Sequence, residues 1–329
     1  LVKPPDLTSI SVRLHDVFAC LRHPEGWARR QAKRRLSGME TSTVIPALRK
    51  WLSETTASGE DLEHLRYEAL GVFESHDVVE SSLLSTLLSS RDPYARAYAT
   101  RVVRRWADRL PDALALLAEN IRDEHPRVRM EAVTALSHIP SAESIVIAMR
   151  ATNFRMDRPL EYSLTQAVFA LAPHWLPALQ EGRLKFDRPA HAAFVFRTYD
   201  ADEISSTIRQ LVESRQLPPS TERELLVHLA RIGTLDTLDF VLEKATSFPS
   251  VTQELATRAQ KSWLQSESVR KRIEQQLVSP SAAVRAGAAC LAGIAELEAQ
   301  SPRIQRLARD MKQPQSVRSA VIEALAHFG

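Results

Sequence analysis

One pattern recurs along the chain, and it dictates how apolar surface can be buried. Its fullest form runs Asp123-Glu124-His125-Pro126-Arg127-Val128-Arg129-Met130-Glu131-Ala132-Val133-Thr134-Ala135-Leu136. A proline is followed by an apolar–Arg pair, a small residue three positions on, and a closing apolar pair. The same skeleton stands at Asp92-Pro93-Tyr94-Ala95-Arg96 with Ala99 and Val102-Val103, at Ala28-Arg29 with Ala32 and Leu36, and at Leu65-Arg66 with Ala69 and Val72-Phe73. It returns at Val284-Arg285 with Ala288 and Leu291, and at Val317-Arg318 with Val321 and Ala324-Leu325. A period of roughly 30 to 37 residues is that of helical repeat arrays.

Each position has a physical reason. Proline suits the first turn of a helix, where its missing N–H would be unpaired anyway. Apolar residues at i, i+4, i+7 and i+8 share one helical face, and small residues such as Ala132 let a paired helix come close. An arginine recurring at one place per unit aligns into a ladder on stacking. The series Arg29, Arg66, Arg96, Arg129, Arg285 and Arg318 is therefore expected to be structural. An Asp or a backbone carbonyl of the neighbouring repeat is the natural partner of the planar guanidinium. The functional alternative is a row of ligand-binding arginines.

The fold expected is all-α: a right-handed α-α superhelix, a HEAT/ARM-type solenoid of about ten helix pairs spanning 1–329. The first helices are read at 9–22, 42–53, 77–90, 111–122, 142–150, 201–214, 234–246, 268–278 and 302–312. The second helices are read at 26–38, 61–75, 93–108, 126–138, 159–171, 188–197, 220–232, 250–265, 281–295 and 316–328. At 329 residues the chain is long for one compact domain. A solenoid avoids that limit because each repeat buries its apolar face against its neighbours. Nine glycines and a supply of Ala, Leu, Arg and Glu favour helix.

Charge is nearly balanced, at +3 from 43 basic and 40 acidic groups, but it is blocked. Arg29, Arg30, Lys33, Arg34 and Arg35 crowd one helix. An acidic stretch runs from Glu54 to Glu80, and Arg91, Arg96, Arg101, Arg104, Arg105 and Arg109 follow. Blocks on adjacent repeats can pair across the stack; the alternative is a basic ligand surface. Cys20 and Cys290, at opposite ends of the chain, are expected to be packing thiols too far apart to bridge. No apolar run is long enough for a transmembrane helix. Leu1-Val2-Lys3-Pro4-Pro5 has no initiator Met and no signal-peptide pattern, and reads as a cut inside a longer protein.

The repeat weakens over 154–202, the expected irregular middle segment. Leu160-Glu161 replaces the apolar–Arg pair, and Trp175, Phe186, Phe194, Phe196 and Tyr199 concentrate there. Pro173-His174-Trp175-Leu176-Pro177 is expected to break the regular helix pair. Glu161, Tyr162, His174, Trp175 and His191 are the candidates for a binding surface. The alternative is a degenerate repeat repacked with aromatic residues. No cysteine or second carboxylate at ligand spacing accompanies His174 and His191, so no metal site is expected. The chain carries no P-loop, dinucleotide glycine motif, His-Glu-x-x-His or Gly-x-Ser-x-Gly, and no catalytic or cofactor residue is assigned.

Three blocks in order, 125–133, 157–164 and 171–179, resemble the HEAT region of the large PVC-type haem-binding CxxCH proteins, also called membrane-bound dehydrogenase-like proteins. That resemblance implies a β-propeller before the solenoid, a cytochrome c domain after it, and export to a periplasmic or other extracytoplasmic space. The chain departs from the family in having no Cys-x-x-Cys-His: Cys20 is followed by Leu21-Arg22-His23 and Cys290 by Leu291-Ala292-Gly293. Covalent haem attachment needs that motif. The function expected is thus a non-catalytic scaffold and protein-interaction module, a spacer between redox domains that partners a flanking propeller, a cytochrome or a separate protein.

Two other readings stand beside it. A nucleic-acid-binding surface, similar to that of the HEAT-repeat alkyl-base DNA glycosylases, would use Arg29 to Arg35 and Arg101 to Arg105 beside Trp106. It is separated from the first by whether those arginines face the concave side or the acidic repeat. An enzyme resembling the HEAT-type bilin lyases would need Glu161 and His191 in one closed pocket.

Overall fold

The computed structural model describes residues 13–199, 204–214, 217–232, 237, 240–241, 244, 264 and 266–328. Among them the regular structure is all helical, with 18 α-helices, short 3-10 turns and no strand. The chain divides into two compact units, Leu1–Lys185 and Phe186–Gly329. The boundary falls within the stretch whose repeat pattern is weakest.

Unit one holds α1 (Leu14–Ala19, continued by a 3-10 turn), α2 (Gly26–Ser37), α3 (Thr41–Ser53), α4 (Gly59–Ser75), α5 (Ser81–Leu88) and α6 (Pro93–Arg105). It continues with α7 (Ala113–Asn120), α8 (Pro126–Leu136), α9 (Ala142–Met149), α10 (Arg158–Ala170) and α11 (Ala172–Gln180). Unit two holds α12 (Pro189–Thr198), α13 (Ser205–Glu213), α14 (Pro219–Ile232), α15 (Glu267–Gln276), α16 (Ala282–Ile294), α17 (Ser301–Arg309) and α18 (Gln315–Ala326). These match the expected helices to within a few residues at most ends. Apart from 237, 240–241, 244 and 264, the helices expected at 234–246 and 250–265 lie outside the described residues.

Helix starts follow local chemistry. Proline occupies the first turn of α6, α8, α10, α11 and α12. The Asp92 carboxylate accepts from the Tyr94 N–H at 2.9 Å, and Asp157 accepts from Leu160 at 2.9 Å. Each side chain satisfies one of the amides that a helix start leaves orphaned. The skeleton positions then fill the core. Ala28, Ala32 and Leu36 are buried in α2, Leu65, Ala69, Val72 and Phe73 in α4, and Val128, Ala132, Val133 and Leu136 in α8. Each fully buried Leu, Val or Phe contributes roughly 1.5–3 kcal/mol.

In unit one the helices form two rows. The second helices α2, α4, α6, α8 and α10 each pack on the next, and α2, α6, α8 and α10 are each also covered by the first helix of their own pair. From α6 to α10 the second-helix row is packed more closely than the row of first helices, so it lies on the inside of the local curve. The α4–α6 junction is much sparser than the α6–α8 junction.

One expectation needs correcting. Residues 173–177 do not break the helix pair; they form the body of α11. Pro173 falls in the first turn, where it costs nothing. Pro177 removes only the hydrogen bond to the Pro173 carbonyl. Trp175 between them is 0% exposed, and its indole N–H donates to the Val168 carbonyl at 2.9 Å, tying α11 to the end of α10.

Candidate interaction surface

The skeleton arginines show what the repeat builds. In α2, α6, α8 and α16 the arginine is the fourth residue of its helix. Its Nη1 bridges the two carbonyls that precede the helix cap. Arg29 reaches His23 and Pro24 (both 2.7 Å), and Arg96 reaches Ser90 (2.9 Å) and Arg91 (3.2 Å). Arg129 reaches Asp123 (2.8 Å) and Glu124 (2.9 Å), and Arg285 reaches Ser279 (2.7 Å) and Pro280 (2.9 Å). Those carbonyls lie outside the helical ladder and need a donor.

The rest of the guanidinium reaches into the next repeat. Arg29 Nε donates to Glu68 at 2.9 Å, and Arg96 grips both oxygens of Asp123 at 2.7 and 2.9 Å. Arg285 donates twice to the Gln313 side-chain oxygen, at 3.2 and 2.9 Å. Arg129 instead lies over the Phe154 ring, 4.7 Å from its centre. Arg318, also fourth in its helix, has among the described residues only the Met311 sulfur, 3.7 Å from Nη1.

Arg66 departs from this arrangement. Helix α4 begins early, at Gly59, whose φ of 58° suits glycine. Arg66 is therefore its eighth residue, and the carbonyls five and six positions behind it belong to the first turn of its own helix. Among the described residues Arg66 has no hydrogen bond or ion pair, and its half-buried side chain lines an open cleft.

The charge blocks pair with each other. Glu68, 4% exposed, takes Arg29 Nε and also Lys33 Nζ at 2.6 Å. Arg49 meets Glu80 at 2.8 Å. Arg109 and Arg105 approach Asp77 Oδ1 at 2.7 and 3.7 Å. Several arginines on either side of the acidic repeat thus turn toward it. Trp106, beside Arg105, is fully buried and has no face free for a base. Burial pushes the Asp123 carboxyl up, but the Arg96 hydrogen bonds, the His125 amide and the Arg96 charge outweigh it and hold the group below the usual range. Burial drives the Tyr98 phenol well up, and Glu74 adds to this through its charge and a 2.7 Å hydrogen bond from the phenol.

Among the described residues of unit one, the exposed large hydrophobic side chains are Trp27 (52%), Tyr94 (68%), Tyr162 (67%) and Phe169 (49%). All four lie on second helices, α2, α6 and α10. Between them runs a stacked series across α4 and α6. His64 lies over Tyr67, Tyr67 meets Tyr98 at 4.7 Å, and the Arg101 guanidinium sits 4.9 Å from the Tyr98 ring centre. Beside this series a cleft of about 1050 Å³ opens between the N-terminal halves of α4 and α6.

The candidates chosen from sequence do not form one surface. Glu161 and Tyr162 are exposed on α10, and His174 is exposed on α11. Trp175 is a core residue, and His191, in α12 of unit two, is 1% exposed. Trp175 and His191 are therefore corrected from surface to interior. Sequence reasoning missed Trp27, Tyr67 and Tyr94. The signal was available in α6, where Tyr94, Tyr98, Arg101 and Arg105 share a face opposite the buried alanines and valines.

Both thiols are packing groups. Cys20 is buried and donates to the Asp16 carbonyl at 3.2 Å, and burial raises its pKa, with Asp16 adding to the effect. Cys290 is half-buried, pushed up to about 11 by burial and then by Glu323. Neither offers a thiolate at neutral pH. Among the described residues no cluster of His, Cys, Asp or Glu is arranged to hold a metal ion, and no helix is long and apolar enough to cross a membrane.

Residues 80–153 match the family model of HEAT repeats, a segment running from just before α5 to just after α9. The fold is of that all-helical repeat class. No curated protein matches the sequence. Among solved structures, Kap121p is similar at a TM-score of 0.42 and 14% identity, over 95% of this chain and 40% of that one. Kap121p bound to Pho4p gives 0.38 and 12%, over 95% and 37%. Human deoxyhypusine hydroxylase in complex with glycerol gives 0.29 and 15%, over 96% and 95%. The chain spans about two fifths of the length of the Kap121p chains. All these superpositions are loose, and none bears on function.

Proposed function

We propose that the chain is a non-catalytic HEAT-repeat module that binds protein through the inner, second-helix face of unit one. One observation carries the reading: among the described residues of that unit, every exposed large hydrophobic side chain sits on second helices. Burying such rings against a partner would be favourable, and aromatic side chains are enriched among the residues that carry interface binding energy. The nucleic-acid reading is the weaker one, because Arg29 and Lys33 are paired with buried Glu68 and Trp106 is buried.

A photo-crosslinking amino acid placed at Tyr94 or Tyr162, and separately at Lys50 or Glu119 on first helices, tests the assignment. The reading expects one and the same protein to be captured from the inner positions and not from the outer ones. Capture from first helices alone would refute it.

The residues of 125–133, 157–164 and 171–179 support a finer proposal. The module is a spacer between the redox domains of an exported haem-binding CxxCH protein, and its partner is a flanking propeller or cytochrome domain. Replacing it in such a parent with an inert spacer of equal length is expected to impair domain association and electron transfer. Unchanged electron transfer would count against this placement.

A further inference from the structure

Helix α4 lacks the cover that its own first helix should give it. α3 packs on α1 and barely touches α4, which takes its cover from α5 and from the turn after α1. The shortfall leaves a crevice of about 310 Å³ between α3, α4 and α5. Its apolar lining is Leu52 from α3, Leu62 and Phe73 from α4, and Leu83 from α5. Leu62, Arg66 and Phe73 share one helical face, so Arg66 is a charge set in an apolar stripe. The carboxylate in the lining, Glu80, is already matched: it accepts from Arg49 Nε at 2.8 Å and from the Ser82 hydroxyl at 3.3 Å. Arg49 also lies over the Phe73 ring, 5.7 Å from its centre. Arg66 has no hydrogen bond or ion pair among the described residues, not even with Glu60, Glu63 or Asp92 in the neighbouring α4–α6 cleft.

We infer that this crevice binds a small amphipathic carboxylate, a medium-chain aliphatic acid. The carboxylate engages the Arg66 guanidinium, and the chain lies on Leu52, Leu62, Phe73 and Leu83. Size, lining and charge select this occupant. Ligand sites run from roughly 300 to 1,000 Å³ and combine apolar walls with a few convergent polar groups. The crevice falls at the small end of that range and has that make-up. Among the described residues its lining holds two guanidinium groups against one carboxylate, so one positive charge is left uncompensated. A guanidinium fork matches a carboxylate in two-point fashion. A neutral chain of the same length would leave Arg66 without a partner, and an aliphatic cation would be repelled by it. None of the exposed aromatic side chains of the second helices is in this lining, so the inference stands apart from the protein-binding reading.

Titration calorimetry of the whole chain with octanoate, 1-octanol and octylamine tests it. Octanoate is expected to bind, and more tightly than either of the others. Arg66→Met should weaken octanoate roughly tenfold or more, as loss of a charge-assisted pair, and bring it level with octanol. Leu52→Glu sets a carboxylate on a half-buried wall and should abolish octanoate binding. Tyr94→Ala, outside the crevice, should leave it unchanged. Arg66 holds nothing within the chain, so Arg66→Met should melt with the wild type, which separates binding from folding; a lowered melt would make Arg66 a structural group and count against the site. Absence of octanoate binding, equal binding of octanol, or indifference to Arg66→Met would overturn the inference. So would a loss in Tyr94→Ala, which would put the ligand in the α4–α6 cleft instead.

Discussion

The α4–α6 and α16–α18 junctions apply one sequence skeleton to opposite ends. At α16–α18 the facing residues are small, among them Ala288, Ala292, Gly293, Ala320 and Ala324. A Cβ added at Gly293 would stand 2.7 Å from the Ala324 Cα, so the two backbones are nearly in contact. The skeleton arginine Arg285 is fully used. At α4–α6 the facing residues are large (Tyr67, Tyr98 and the His64 ring), the helices part toward their N-termini, and Arg66 is left over. Side-chain size at the seam and the helical position of one arginine decide whether a repeat junction is closed core or open cleft.

The largest expected effect strikes the closed junction. Gly293→Leu forces α16 and α18 apart and should cost about 3 kcal/mol, read as a drop in urea midpoint. The same logic at the open junction predicts little. A Cβ at Gly71 would press on the Tyr98 hydroxyl at 3.2 Å and the Lys33 Cδ at 3.3 Å, side-chain ends rather than backbone. Gly71→Ala should be neutral or mildly stabilising, because alanine is favoured in helix by up to ~1 kcal/mol. Equal losses at both glycines would erase the distinction.

A middle-sized effect is expected of Tyr98→Phe. It removes the 2.7 Å hydrogen bond to Glu74 and should cost about 1 kcal/mol by equilibrium unfolding, with the ring stack kept. A variant as stable as wild type would show that the phenol contributes nothing to the seam.

The smallest effect is in pH. The Asp123 pKa is lowered in the folded state, so its contribution is present in full above the ordinary carboxyl value of about 4 and is lost as pH falls through the folded one. Wild type should therefore lose more stability between neutral pH and roughly pH 3 than Asp123→Asn does. The Arg285–Gln313 contact has no titrating acceptor and should persist. A larger acid sensitivity in the Asn variant would reverse the assignment.

Much of the fold was legible. Proline at helix starts, apolar residues on one face and a small residue for close approach suffice to place α6, α8 and α18 within a few residues. The pairing of basic and acidic blocks was also legible, since charge alternates on the scale of one repeat. The site was less so. Trp175 reads as a candidate binding residue because it lies between prolines in a weak repeat; its burial depends on α11 forming and on a carbonyl at the end of α10. Arg66 reads like the other skeleton arginines, and only the early start of α4 separates it from them. That start turns on Gly59, a loop residue by sequence that takes a left-handed conformation at the head of the helix.

The most direct test of the account compares Arg96→Met with Arg66→Met by urea unfolding. Arg96, fourth in its helix, holds two carbonyls and a partly buried carboxylate, and its loss should cost about 2 kcal/mol. Arg66, eighth in its helix, should change stability by less than about 0.5 kcal/mol. Comparable losses in the two variants would contradict the claim that helical position divides these arginines into holders of the stack and groups free to bind.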